Sequence, residues 1–121
     1  MTEYRIEIER LHRFSEDVLV RAGARPKDAA SVAAHLVDAN LKGHDSHGVG
    51  LLPAYLRHVR EGLVTLDAEE TCVQETAVLL QIDAGGGWGA PGGHRLLERA
   101  GELARRQGRA AGRRGGYRSV L

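Results

Sequence analysis

Several features that would commit a chain to a membrane, an oxidising compartment or a nucleic acid are scarce here. There is one cysteine, Cys72, so no internal disulfide can form and nothing points to an oxidising compartment. No apolar run exceeds a few residues, as in Ala77-Val78-Leu79-Leu80, whereas a bilayer span needs about 20. Met1-Thr2-Glu3-Tyr4-Arg5 introduces charge early and has no apolar segment, so no secretory signal is expected and a cytoplasmic location follows. Lysine is limited to Lys27 and Lys42, against 15 arginines. The net charge of +1 predicts no strong attraction of the whole chain to nucleic acid or membrane. Aromatics stop at Tyr4, Phe14, Tyr55, Trp88 and Tyr117, so a core must come from Leu, Val, Ile and Ala. What is present, 42% hydrophobic and 27% charged residues over 121 positions, is globular composition for one domain or part of one.

Charge is unevenly placed. Residues 109–121 hold four arginines and no acid, so residues 1–108 carry a net −3 against +1 for the whole. This tail has no hydrophobic period and is expected to be disordered. Arg-rich, Gly-rich and Lys-poor usage is typical of GC-rich coding sequence. An Arg/Gly/Ala string after Gly108 is what a reading-frame shift in such a gene yields, so a truncated or frameshifted product is expected. The domain reading is residues 1–108 as one unit and 109–121 as a basic tail.

The periodicity predicts an α+β chain: three helices, a short strand region, then a further helix. Tyr4, Ile6 and Ile8 alternate with charged residues and are read as irregular. The first helix covers 9–22, with Leu11, Phe14, Val18 and Leu19 on one face and Gly23 as its stop. The second covers 26–42: Pro26 opens it, Asp28 suits its positive end, and Ala29, Val32, Ala33, Leu36, Val37 and Asn40 share a face before Gly43. Asn40 on that stripe is either a satisfied amide or a support for the segment just after it. A third helix, 53–61, ends at Gly62, with Ala54, Leu56 and Val59 inward. Thr71 to Ile82 is rich in Thr, Val and Leu and predicts one strand or two short ones. The last helix, 92–107, carries Leu96, Leu97, Ala100, Leu103 and Ala104.

Gly43-His44-Asp45-Ser46-His47-Gly48 is the segment richest in chemistry. It sets two imidazoles, a carboxylate and a hydroxyl between glycines at a helix end. Histidine is suited to moving protons near neutral pH, and a carboxylate can orient an imidazole. A polar turn between helices satisfies the same spacing. A metal site does not: protease-type zinc motifs put histidines four apart on a helix with a glutamate between, and here they are three apart in a turn. No metal is expected.

Gly87-Trp88-Gly89-Ala90-Pro91-Gly92 matches G-x-G-x-x-G, between a strand-like run and a helix. A dinucleotide fingerprint needs a strand–helix–strand unit with an acidic residue about 20 positions on. Here that distance leads into the arginine tail, so a glycine turn capping the last helix is the better reading. Arg57, Arg60, His58 and His94 are isolated and read as solvated helix residues. Ser46 beside His47 lacks a nucleophile elbow, which disfavours a hydrolase.

Over about residues 5–108 the chain resembles the type-2 malate/L-lactate dehydrogenase family, NAD(P)-dependent 2-hydroxyacid oxidoreductases that do not use a Rossmann fold. The residues carrying the likeness are Ala22-Gly23, Asp28-Ala29-Ala30, Leu36-Val37-Asp38-Ala39-Asn40, Gly43-His44-Asp45-Ser46-His47-Gly48-Val49 and Pro53-Ala54-Tyr55. Ile82-Asp83-Ala84-Gly85-Gly86-Gly87-Trp88-Gly89 is similar to the family's Asp-Gly-x-x-Gly-x-Gly turn, with Ala84 in place of a glycine. The resemblance implies that His47 is the general acid/base and that Ser46 lies in the active site, with His44 and Asp45 as supporting residues. It implies NAD or NADP as cofactor, a small 2-keto or 2-hydroxy acid such as malate or lactate as substrate, and a homodimer. Some members carry an arginine four residues after that histidine to hold the substrate carboxylate; here Leu51 stands there, so that anchor is unassigned. Family enzymes are also much longer, and most of the nicotinamide site is expected outside these residues, so weak or absent activity of this chain alone is expected. The competing reading is a non-catalytic helical interaction module. RNA binding through the arginine tail is a minor third reading.

Overall fold

The computed structural model describes residues 3–77 and 79–108; the tail expected to be disordered, 109–121, lies outside the described residues. The order of elements is α1 (Ile8–Arg21), α2 (Pro26–Leu41), two 3-10 turns (Asp45–His47 and Val49–Leu51), α3 (Leu52–Arg60), β1 (Thr71–Glu75), β2 (Leu80–Asp83) and α4 (Gly89–Gln107). The class is α+β, with the three helices, strand region and last helix in the expected order.

The first three helices stop in the same way. After α2, Gly43 takes φ +75°, its N–H donates to the Asn40 carbonyl, and the His44 N–H reaches back to the Ala39 carbonyl. This satisfies carbonyls that the helix leaves open, and the left-handed residue in it is best supplied by glycine. Gly23 after α1 and Gly62 after α3 make the same pair of bonds.

The core gathers on α2. Ala29, Val32, Ala33, Leu36 and Val37 are buried on one face, and α1 packs along it. On α1 the buried positions are Ser15 and Leu19, whereas Phe14, expected on that stripe, is 60% exposed. The small Ser15 side chain, with Oγ donating to the Leu11 carbonyl at 2.8 Å, takes the interior position instead. Small side chains on both facing helices allow close approach, which a phenyl ring at that position would prevent.

α3 is rotated relative to expectation. Leu52 and Tyr55 are buried, while Ala54, Leu56 and Val59 are only half-buried. The rotation brings the Tyr55 ring to Trp88 at 5.7 Å between centroids, tilted 49°, an aromatic pair of the kind worth about 0.5–1.5 kcal/mol. Burial pushes the Tyr55 phenol above its ordinary pKa. Leu19, Leu36, Val64 and Trp88 complete the same cluster.

The strand region resolves into two short strands. β1 and β2 pair antiparallel, with Thr71 opposite Asp83 and Glu75 opposite Leu80, and the register slips between Cys72 and Gln74. Every β1 residue is exposed. α4 begins at Gly89, three residues before the expected start, because Pro91 fits inside a first turn where no N–H partner is needed. Leu97, expected on the buried stripe, is 70% exposed; Leu96, Ala100, Leu103 and Ala104 are half-buried. Among the described residues no helix is long and apolar enough to cross a membrane.

Candidate active site

The chemistry-bearing segment is a tight arc between the end of α2 and the start of α3. The turn at Gly43 redirects the chain, and the 3-10 turn Asp45–His47 is closed by the His47 N–H on the His44 carbonyl and the Gly48 N–H on the Asp45 carbonyl. The second 3-10 turn, Val49–Leu51, feeds directly into α3. Both flanking helices are anchored in the core, so a short, exposed loop has a fixed base.

This arc brings together most of the residues expected at the site. Ser46 Oγ lies 3.0 Å from His47 Nδ1, and the His44 and His47 rings stand 4.1 Å apart, tilted by 43°. His47 is half-buried, while His44, Asp45 and Ser46 are exposed. When Nδ1–H donates to the Ser46 hydroxyl oxygen, the neutral imidazole leaves Nε2 unprotonated and able to take a proton. Among the described residues Nε2 has no hydrogen-bond partner. A ring held through one nitrogen, with the other free, is suited to passing a proton to a bound molecule.

Asp45 takes a different part from the one its position suggests. Its carboxylate does not orient an imidazole; Oδ1 accepts from Asn40 Nδ2 at 2.8 Å. Asn40 Oδ1 in turn accepts the Val49 N–H at 2.9 Å. Of the two readings of Asn40, support of the following segment is the one the geometry carries. Leu51 packs against the core cluster and offers no polar group to this site.

A second polar cluster forms at the opposite end of α2. Asp28 is 3% exposed; Arg25 Nε donates to its Oδ2 at 2.9 Å and Arg95 Nη1 approaches its Oδ1 at 3.4 Å. Arg95 Nε also donates to Glu70 Oε1 at 2.7 Å, and Arg25 Nη2 donates to the Ala68 carbonyl at 2.9 Å. Partial desolvation pulls the Arg95 pKa down, but the hydrogen bond and charge of Glu70 and the charge of Asp28 outweigh it, so the net shift is upward. This clasp fastens α4 and the 62–70 loop to α2. Sequence alone showed nothing of it beyond Asp28 at a helix start, because Arg95 is 67 positions away.

The G-x-G-x-x-G letters build a packed helix start. Gly87, Trp88, Gly89, Pro91 and Gly92 are buried, and a Cβ on Gly87 would come within 2.9 Å of the Ala68 side chain. The preceding strands are an antiparallel pair, not parallel strands joined by a crossover. These residues do not fit a dinucleotide cradle. Among the described residues no group of three or more His, Cys, Asp or Glu is placed to hold a metal ion.

Comparison with known proteins agrees with this architecture. The malate/L-lactate dehydrogenase family profile matches residues 6–113. Hydroxycarboxylate dehydrogenase B of Escherichia coli is 32% identical over 108 residues, covering 89% of this chain and 30% of that protein. The (2R)-3-sulfolactate dehydrogenase (NADP(+)) of Chromohalobacter salexigens is 39% identical over 87 residues, covering 71% of this chain and 26% of that protein. The solved malate dehydrogenase of Pyrococcus horikoshii superposes with a TM-score of 0.83 at 33% identity, covering 87% of this chain and 30% of that one. The chain thus spans about 30% of the length of these relatives. By sequence profile and by fold alike, it belongs to the malate/L-lactate dehydrogenase family.

Proposed function

We propose that this chain carries the proton-transfer element of an NAD(P)-dependent 2-hydroxyacid dehydrogenase. The observation that supports it most is the Ser46 Oγ to His47 Nδ1 contact of 3.0 Å in an exposed turn with a core-anchored base. Reduction of a 2-keto acid adds a hydride to the carbonyl carbon and a proton to its oxygen. In this reading the protonated His47 gives its Nε2 proton and is left neutral with Nδ1–H on Ser46, and in the oxidation direction the unprotonated Nε2 takes the proton from the hydroxyl. Ser46 holds the imidazole through Nδ1, and the tilted His44 ring lies beside it. The nicotinamide, when bound, supplies the hydride.

The described residues offer no cradle for the dinucleotide and no carboxylate anchor at Leu51. Cofactor and substrate are therefore held, in this reading, by parts of the family fold outside these residues, and the chain alone turns over weakly or not at all. The names of the relatives support a hydroxy acid as substrate, with malate, lactate and sulfolactate as the compounds to try.

The test is a chimera in which residues 6–108 of this chain replace the matching stretch of the Escherichia coli relative. The expected result is a folded protein that binds NAD(P)H and reduces a 2-keto acid, while the chain alone leaves NAD(P)H unconsumed. A chimera that binds cofactor yet neither oxidises any of these three hydroxy acids nor reduces the corresponding 2-keto acids would refute the assignment. Retention of a specific protein partner by the chain alone, with no turnover in the chimera, would favour the interaction module instead.

A further inference from the structure

We infer that Asn40 is the positioning residue of this site: one side-chain amide that ties down both ends of the arc carrying Ser46 and His47. The inference rests on the proton-transfer reading above and deepens it. Asn40 lies in the last turn of α2, whose body is fixed by the buried Val32, Ala33, Leu36 and Val37. Its Nδ2 donates to Asp45, the residue before Ser46–His47, and its Oδ1 accepts the backbone N–H of Val49, two residues after His47. The donor and acceptor of a single amide thus close a clamp across the reactive pair.

Only an amide of this length does both jobs. A carboxylate at position 40 could still accept from Val49 but would face Asp45 as a like charge. A hydroxyl is too short to span both partners. A leucine offers neither bond.

Gly48 supports the same conclusion independently. Its backbone is extended, with φ −93°, so it is not the left-handed conformation that favours glycine. Space demands glycine there: a Cβ on Gly48 would run into Oδ1, Cγ and Nδ2 of Asn40. The backbone immediately after His47 therefore lies directly on the Asn40 amide. Displacing that amide displaces His47, and misplacement of a proton donor by a fraction of an ångström is enough to slow transfer.

The chain contains six histidines, which makes the clamp readable without any turnover assay. The chain is labelled on its imidazoles with 13C and 15N, and ring signals are recorded alongside amide exchange at Val49. Asn40→Ala should speed exchange at Val49 about fivefold, the size expected for one lost hydrogen bond. It should also move the His44 and His47 ring signals, since those rings stand 4.1 Å apart and report on each other. His12, His35, His58 and His94 should stay in place. Gly48→Ala should give the same signature in the natural chain and add little to Asn40→Ala.

Unmoved His47 signals with an unchanged Val49 rate would overturn the proposal. A role confined to general stability would move all six histidines together, and that too would overturn it. If Asn40→Ala fails to fold, Asn40→Asp decides. It keeps the acceptor for Val49 and loses the donor to Asp45, so Val49 protection should persist while His47 signals move; His47 signals left in place would sink the idea. Failure of the proton-transfer reading is seen separately, as unchanged turnover in a His47 variant of the chimera.

Discussion

At the start of α2, Asp28 is 3% exposed and gripped by two arginines; just past its end, Asp45 is exposed and held by one neutral amide. The two carboxylates sit at opposite ends of the same helix and serve different purposes. Asp28 joins segments distant in sequence, tying α4 and the 62–70 loop to α2, and its charge is neutralised inside that joint. Asp45 joins nothing distant. It fixes a local turn while leaving the adjacent imidazole and hydroxyl accessible. Fastening the scaffold uses a buried carboxylate gripped by half-exposed arginines, whereas presenting reactive groups uses short-range neutral bonds that leave those groups free.

If this division holds, damage at one end should not reach the other. The largest expected loss of stability is at the Asp28 end. Asp28→Ala leaves Arg25 and Arg95 without their shared partner. Since both arginine side chains are 44% exposed and can rehydrate, the cost is expected at about 2–3 kcal/mol, somewhat less than for a fully buried pair. Urea unfolding followed by circular dichroism measures it. The His44 and His47 ring signals should not move in the folded variant; if they do, the two ends are coupled.

At the other end the expected effects are smaller and local. Asn40→Ala and Gly48→Ala should each cost about 1 kcal/mol, and their double variant less than the sum, because truncating the amide makes room for the new methyl. A double-mutant cycle in urea reads this directly, and strict additivity would remove Asn40 from contact with the turn.

The smallest effect concerns Tyr55, in the core beside Trp88. Its folded phenol titrates above the ordinary value of 10.0, so on raising the pH the unfolded chain loses its proton first. Stability present below that pH should therefore fall as the pH rises through and beyond it. Tyr55→Phe should flatten this alkaline decline, seen as a smaller loss of melting temperature between pH of about 9 and 11. An unchanged decline would mean that the phenol is not buried in solution.

The same contrast between local and distant explains what could be read from the sequence. Gly23, Gly43 and Gly62 marked helix ends correctly, because that stop depends on one residue's torsion. Pro26 and the α2 stripe did so for similar reasons. The Gly43–Gly48 turn is visible because its residues are consecutive, and so is the glycine turn at Gly87–Gly92 that opens α4. Distant pairings were not visible. Nothing local shows that Ser15 rather than Phe14 faces α2, that Tyr55 turns inward to Trp88, or that Arg95 reaches Asp28. Asp45 is legible as a residue of this turn, but its bond to Asn40 is not, since sequence shows that residues are near and not which way each side chain points.

The most direct test of the account is the turnover of His47→Ala in the chimera, measured beside its affinity for NAD(P)H. A general acid/base of this kind contributes about 10²- to 10⁴-fold. The account expects turnover to fall by about that factor with cofactor affinity unchanged, because His47 is assigned the proton and not the dinucleotide. Turnover within about twofold of the parent chimera would contradict it, and the Gly43–Gly48 arc would then be only a turn between two helices.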